Sequence, residues 1–393
     1  MSAGGPAGDG PRILVVAGEA SGDTHAAGLI REARALLPGL EFAGMGGPAM
    51  RRAGVEILHD AADVAVVGIA EVFEKLGSIR RTMADLKRRL AGERWSAVLL
   101  VDLPDFNLHL AARARRLGLP VVYFISPQLW AWRPGRVRRI RRRVDRMLCL
   151  FPFEERFYRE HGVPATFVGH PLADYDGPSR PADQARRRLG LPAEAPVFGL
   201  LPGSRSGEIA RLLEPMIETA RLVLEQRPDA AFLVPVADTL DSGAIVERVA
   251  RTGLPIVALK GAFDALIEAC DAALVASGTA TLEVAVRGVP PVVVYRMAPT
   301  TYLLGRMTVR VPHVSLVNLI AERRLVPELI QREFTPQRAA SELLRLGLPG
   351  ENRDAVLEGL REVRRRLGPP GAYRRAAEAL VAVLREAGAA ADA

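Results

Sequence analysis

The chain has 393 residues, 49% of them hydrophobic and 25% charged, with a formal net charge of +8 and only two cysteines. That length suits two or three domains, and the composition excludes a largely disordered chain. The basic balance points to an anionic partner: nucleic acid, a phosphorylated ligand or an acidic membrane surface.

The first ten residues are small and uncharged apart from Asp9, without a basic start or an apolar core, so no secretory signal is expected. Strand-like apolar runs then alternate with longer helical patterns, as in α/β proteins with parallel sheets. In the first half these runs are residues 13–17, 97–101, 121–125, 147–151 and 165–168; in the second they are 197–201, 231–234, 256–259, 272–275 and 291–294. None is broken by a charge, as strands covered on both faces require. Between the two sets, residues 174–196 are rich in Pro, Ala, Arg and Asp, and Gly177-Pro178-Ser179-Arg180-Pro181 reads as a linker. The expected architecture is α/β: two doubly wound, Rossmann-like domains, 1–172 and 173–371, facing a central cleft. Strand ends at that cleft are the default ligand site. A closing helix over 372–390 carries an apolar stripe of Ala376, Leu380, Val383 and Leu384, suited to packing back on the first domain or onto another subunit. No apolar run reaches the roughly 18 residues of a membrane span, so a cytoplasmic chain is expected. Cys149 and Cys270 lie far apart in apolar runs and read as buried reduced thiols.

Seven segments carry chemistry. The first strand runs into Gly18-Glu19-Ala20-Ser21-Gly22-Asp23-Thr24-His25. Small residues there admit a ligand close to the backbone, and the helix start that follows favours anions or hydroxyl-rich groups. The competing reading is a tight turn capped by Ser21 or Asp23. The segment is neither a dinucleotide fingerprint nor a P-loop. Next, Val66, Val67, Ile69, Val72, Phe73, Leu76 and Ile79 precede Arg80, Arg81, Lys87, Arg88 and Arg89. That order suits docking on an acidic bilayer or an ordinary core-facing helix. Val101-Asp102-Leu103-Pro104-Asp105-Phe106-Asn107 sets two acids at a strand end. They suit general-base work, a cap by Asp105 on a helix from Phe106, or a metal pair short of a third ligand. Ser126-Pro127-Gln128-Leu129-Trp130-Ala131-Trp132-Arg133 puts two of the three tryptophans on a loop, as a recognition surface or as packed rings.

Arginines 133, 136, 138, 139, 141, 142, 143 and 146 follow, with Asp145 the one acid among them. A helix there gathers Val137, Ile140 and Val144 on one face and leaves the arginines for nucleic acid or anionic headgroups. In the second domain, Leu201-Pro202-Gly203-Ser204-Arg205 precedes a helix beginning near Glu208, and Ser277-Gly278-Thr279-Ala280-Thr281-Leu282-Glu283 runs from a strand into a helix. Together they read as a cradle for a nucleotide diphosphate: Ser204 and Arg205 as donors, backbone N–H groups and hydroxyls at Ser277, Gly278 and Thr279, and Glu283 for a ribose diol. Neither carries a lysine for a γ-phosphate, which favours a sugar nucleotide over ATP. The six histidines, His25, His59, His109, His161, His170 and His313, do not cluster at ligand spacing.

The segments beginning at Gly18, Asp102, Ser126, Leu201 and Ser277, taken in order with Leu150-Phe151-Pro152-Phe153-Glu154, Val168-Gly169-His170-Pro171, Tyr295-Arg296-Met297 and Val314-Ser315-Leu316-Val317-Asn318-Leu319, resemble the lipid-A-disaccharide synthase family of bacterial glycosyltransferases, over about residues 12–385. Val317 stands where the family pattern has Pro. The resemblance implies a GT-B fold and an inverting transfer, without metal or other cofactor, from UDP-2,3-diacylglucosamine to 2,3-diacylglucosamine 1-phosphate (lipid X). It assigns Asp102 as general base, Glu19 and Ser21 to position the sugars, and Arg205, Ser204, Ser277, Gly278, Thr279, Glu283 and Asn318 to the UDP-sugar. It also implies a cytoplasmic enzyme associated with the inner membrane, with homodimers formed by exchange of C-terminal elements. On the residues' own pattern, Val67, Ile69, Val72, Phe73, Leu76 and Ile79 are the expected contacts with an acidic membrane surface, and no nucleic-acid partner is expected because one leaves the diphosphate cradle unexplained. The competing enzyme reading is a UDP-GlcNAc 2-epimerase-like isomerase, which acts on a soluble nucleotide sugar and has no use for the apolar-basic stretch.

Overall fold

The computed structural model describes residues 10–64, 69–132, 134–177, 181–237, 242–297 and 311–391, with side chains left aside at 69–75, 131–132, 134 and 389–391. Thirteen strands form two sheets among these residues. The first sheet holds β1 (Arg12–Ala17), β2 (Glu41–Gly46), β3 (Glu56–Asp60), β4 (Ala97–Val101), β5 (Val121–Phe124), β6 (Arg146–Cys149) and β7 (Ala165–Phe167), in the order β3-β2-β1-β4-β5-β6-β7. The second holds β8 (Val197–Leu201), β9 (Ala231–Val236), β10 (Ile256–Lys260), β11 (Ala272–Ala276), β12 (Pro291–Tyr295) and β13 (Glu328–Ile330), in the order β10-β9-β8-β11-β12-β13. Every pairing is parallel. The chain divides into two units, Met1–Pro171 with Leu367–Ala393, and Leu172–Arg366.

The central strands are the charge-free runs of the sequence. β4, β5, β8 and β11 are buried at every residue, because helices cover both faces of a parallel sheet. Each sheet reverses its strand order once, between β1 and β4 in the first and between β8 and β11 in the second. In register, Ala17 lies beside Val101 and Leu201 beside Val275, so the loops after these strands open side by side. Such reversals are where open α/β sheets hold ligands.

Three strands lack the branched, strand-like apolar run that marks the others. β2 contains Gly44, where a Cβ would stand 1.8 Å from the carbonyl oxygen of Val15, so the closeness of β1 and β2 demands glycine. β3 is a half-buried edge with the polar sequence EILHD, and β13 is a three-residue edge.

Helix starts also differ from expectation. Neither Ser21 nor Asp23 caps its own helix, Ala20–Leu36, whose N-cap is Glu19. Asp23 is buried and accepts instead from the N–H groups of Gly47 (2.8 Å), Ala49 (2.8 Å) and Met50 (3.0 Å), capping the neighbouring helix Pro48–Arg52 across space. Among the described residues of the arginine-rich segment, the α-helix covers only Val137–Arg141, after a 3-10 turn at Pro134–Arg136. Val137, Ile140 and Val144 are buried as expected, but Val144 lies past the helix end and Arg146 already begins β6.

The closing helix, Ala372–Ala391, lies on the helix Ala20–Leu36 within the first unit. Its Ala376, Leu380, Val383 and Leu384 are buried. The Tyr373 hydroxyl meets His25 Nδ1 at 2.9 Å, and Arg375 donates to the Val168 carbonyl at 2.8 Å. Cys149 and Cys270 are buried free thiols. No helix among the described residues is long and apolar enough to cross a membrane.

Candidate active site

At the reversal of the first sheet, β1 leads into Gly18 and the exposed Glu19 and Ser21, and β4 leads into Asp102. Asp102 and Leu103 both sit in the left-handed region, with φ of 50° and 45°, and Ile125, just after β5, has a φ of 65°. For non-glycine residues each such turn costs about 1–3 kcal/mol, and strain of this kind concentrates at functional sites. The turn carries Leu103 over Gly18, where a Cβ would lie 2.3 Å from Leu103 Cδ2. Helix Pro104–Arg116 then starts with Leu103 as N-cap. Asp105 is therefore not the cap; it pairs with Arg136 at 2.7 Å.

Asp102 is electrostatically perturbed. Burial, followed by the nearby Glu19 charge, pushes its carboxyl up to about 6, against a smaller opposing pull from the Leu103 N–H. Two histidines of this unit are shifted the other way: burial pushes His25 down to about 4 and His170 down to about 3, the latter helped by His25. Both are neutral at pH 7 and cannot act as cationic acids there. Among the described residues of this unit Glu154 is also raised: burial pushes it to about 7. It is 3% exposed and already accepts from Leu150 N–H, Phe151 N–H and Trp130 Nε1–H at 3.2–3.3 Å. Glu154 thus anchors the tryptophan-bearing segment, whose Trp130 ring packs edge-on against Phe153. Asp102 remains the carboxylate with both a poised proton affinity and access to a reacting group.

At the reversal of the second sheet lies an open cavity of about 430 Å³. The turn after β8 supplies Gly203, Ser204 and Arg205 to its wall. Gly203 has φ 107°, and a Cβ there would stand 2.2 Å from Glu208 Oε2. Glu208 fills that space, accepting from Ser204 N–H at 3.2 Å and standing 3.5 Å from the Arg205 guanidinium, which stays 59% exposed. After β11, Ser277, Gly278 and Thr279 line the opposite wall at the start of helix Thr279–Val286, which has no side-chain cap. An uncapped helix start and an exposed guanidinium suit a bound anion. Glu283, on the same helix, also lines the cavity; burial raises its carboxyl above the usual range against the pull of Arg287.

The ends of β9 and β10 complete the wall with Val236, Ala237, Gly261 and Phe263. No motif marks them; strand order alone places them there.

Asn318 is a correction. It is fully buried, its Nδ2 donates to Val326 O and Glu328 Oε1, and its Oδ1 accepts from Leu325 N–H and Val326 N–H, at 2.8–3.0 Å. With both donors and both lone pairs taken it pins the turn before β13 and has nothing left for a ligand. Of the expected membrane contacts, Val67 and the side chains of Ile69, Val72 and Phe73 lie outside the described residues. Leu76 is half-buried on helix Ile69–Gly92. Ile79 is corrected: it packs against the first unit's core.

Comparison with known proteins gives the family and the fold. Residues 13–378 match the family model described as lipid-A-disaccharide synthetase. The chain is 49% identical over 374 residues to the lipid-A-disaccharide synthase of Myxococcus xanthus (strain DK1622), covering 95% of this chain and 98% of that one. With the enzyme of that name from Geobacter sulfurreducens (strain ATCC 51573 / DSM 12127 / PCA) it shares 45% over 373 residues, 95% of this chain and 97% of that one. Among solved structures, the glycotransferase of kitacinnamycin superposes with a TM-score of 0.63 at 18% identity, covering 95% and 99% of the two chains. The UDP-GlcNAc 2-epimerase from Neisseria meningitidis superposes with 0.57 at 11%, covering 95% and 100%. These likenesses establish a GT-B-type fold of two Rossmann-like units, common to transferases and epimerases.

Proposed function

The chain belongs to the lipid-A-disaccharide synthase family and is a hexosyltransferase, and from that premise we propose that it joins UDP-2,3-diacylglucosamine to lipid X with inversion at the anomeric carbon. The first unit binds the acceptor, and the second holds the donor's nucleotide. The observation that carries the mechanism is the carboxyl of Asp102, raised to about 6 beside Glu19 at the reversal of the first sheet. A base with that proton affinity is ionised at pH 7 yet basic enough to take the proton of the acceptor's 6-hydroxyl as it attacks. Glu19 and Ser21 orient the sugar hydroxyls. Ser204, Arg205 and the uncapped helix start at Ser277-Gly278-Thr279 take the diphosphate. They offset the charge that develops as UDP leaves, which is chemistry a cation and aligned N–H groups can supply. Glu283 accepts from the ribose diol. The enzyme works at an acidic membrane face, where its acylated substrates reside.

The test is turnover with purified substrates. Asp102→Asn should lose at least ~100-fold in kcat, the ordinary cost of a missing general base, while UDP still binds. Near-wild-type turnover in that variant removes Asp102 from the mechanism. UDP release that depends on the acylated acceptor supports transfer; interconversion of the nucleotide sugar without acceptor supports an epimerase instead.

A further inference from the structure

Asp102 is held by its backbone. Its N–H donates to Phe124 O at 3.1 Å, continuing the β4–β5 ladder by one residue. Its carbonyl leaves the ladder, because the left-handed turn at Asp102 and Leu103 swings it away. That carbonyl is met from two sides: Asn107 Nδ2 donates to it at 2.7 Å, and the Tyr123 hydroxyl donates to it as well. The second Asn107 Nδ2 proton reaches Val101 O at 3.2 Å. Both side chains are 0% exposed, and Tyr123 belongs to the first unit's core cluster. Tyr123 stands beside Leu100 in the β4–β5 register, two residues from Asp102. A phenol and a carboxamide, both fully buried and both aimed at one carbonyl, exceed the single partner that satisfies a buried carbonyl.

We propose that Tyr123 and Asn107 are positioning residues, a clamp on the Asp102 carbonyl that fixes the left-handed turn and thereby holds the Asp102 carboxyl in its partly buried place beside Glu19. The proposal rests on the reading of Asp102 as the base. The clamp acts through the peptide: with N–H and C=O both fixed, the Cα–Cβ bond of Asp102 has one direction. Loosening it lets the turn relax toward ordinary φ and the carboxyl move toward water. The ionisable groups around Asp102 are Glu19 from the end of β1, Tyr123 from β5, and Asp105 on the following helix, which is neutralised by Arg136. Of these, Glu19 and burial raise the carboxyl, and both influences fall off once it moves outward.

The experiment uses the full-length enzyme with Tyr123→Phe, which keeps the ring in the core. Tyr158→Phe is the matched control: it removes another buried hydroxyl, one that donates to the Pro127 carbonyl at 2.7 Å. Tyr123→Phe should lower kcat about 10-fold with KM nearly unchanged, as a misplaced catalytic group does. It should also move the acid-side midpoint of kcat/KM down by about one pH unit, as the carboxyl regains solvent. Tyr158→Phe should leave that midpoint in place. In parallel, the carboxyl carbon of Asp102, assigned as the resonance that disappears in Asp102→Asn, is titrated by NMR in wild type and Tyr123→Phe. A titration midpoint and a pH profile unmoved by Tyr123→Phe overturn the clamp even if Asp102→Asn is inactive. If Asp102→Asn keeps turnover, the base assignment fails instead, and the NMR titration still decides the clamp.

Discussion

Asp102 lowers the stability of the fold at the pH where it is useful. Its carboxyl is raised from 3.8 to about 6, so between those values the folded state holds a proton that the unfolded chain has released. Stability therefore falls as pH rises through that window, and the cost is complete above it. A shift of that size amounts to about 3 kcal/mol before solvent screening. Asp102→Asn should accordingly stabilise the first unit by about 2–3 kcal/mol at pH 8 and by about half that at pH 5. All three tryptophans, Trp95, Trp130 and Trp132, lie in the first unit, so their fluorescence during urea unfolding reports on it alone. An equal gain at both pH values would trace the effect to packing instead of ionisation. The acid itself was legible in the sequence as one of a pair at a strand end. Its clamp was not, because Asn107 and Tyr123 act on a backbone carbonyl that only the left-handed turn exposes. Asn318 misleads for a related reason: a polar residue in a motif reads as a ligand contact, and its burial against Val326 and Glu328 is set by a strand that the sequence hides.

Elements were legible where both faces are buried and illegible at the margins. The runs at β4 and β8 match the observed strands residue for residue, since a strand covered on both sides tolerates no charge. β3 and β13 carry polar residues because an edge strand can face water, and β2 carries glycine because its neighbour is too close for a side chain. The junction between the first helix and the last turns on a glycine of the same kind. A Cβ at Gly28 would lie 2.7 Å from the ring of Tyr373, whose hydroxyl holds His25 Nδ1. Gly28→Ala gains helix propensity by up to about 1 kcal/mol but must displace that ring, an overpacking cost of about 1–3 kcal/mol. Hydrogen exchange should therefore rise in Ala372–Ala391 while the second unit's strands stay protected. Unchanged protection of the last helix would mean that Tyr373 swings aside freely and the contact at Gly28 is incidental.

For the molecule as a whole, the net charge is a local property. Residues 133–146 hold eight arginines and one aspartate, a surplus of seven within the total of +8. The one acid does not neutralise its neighbours: Asp145 pairs with Arg115 at 2.6 Å and accepts from Val121 N–H. Arg136 and Arg146 pair with Asp105 and Glu386, and Arg143 donates to Leu108 O. Arg138, Arg139, Arg141 and Arg142 are exposed and have no ion pair among the described residues. A basic residue near an anionic bilayer contributes about 1 kcal/mol, over a range set by the Debye length. If the acidic membrane face is the partner, replacing Arg138, Arg139 and Arg142 together by Ser should weaken binding to vesicles of anionic phospholipid about 100-fold at low salt. Wild-type binding should itself decay as salt rises from about 0.05 to 0.5 M. None of these arginines belongs to the base or the nucleotide cradle, so turnover of detergent-dispersed substrates should be kept. Vesicle sedimentation and detergent turnover, measured on the same preparations, separate the two roles. Wild-type sedimentation by the triple variant would mean that this charge serves something other than the membrane, and that attachment rests on the apolar stretch that precedes Arg80.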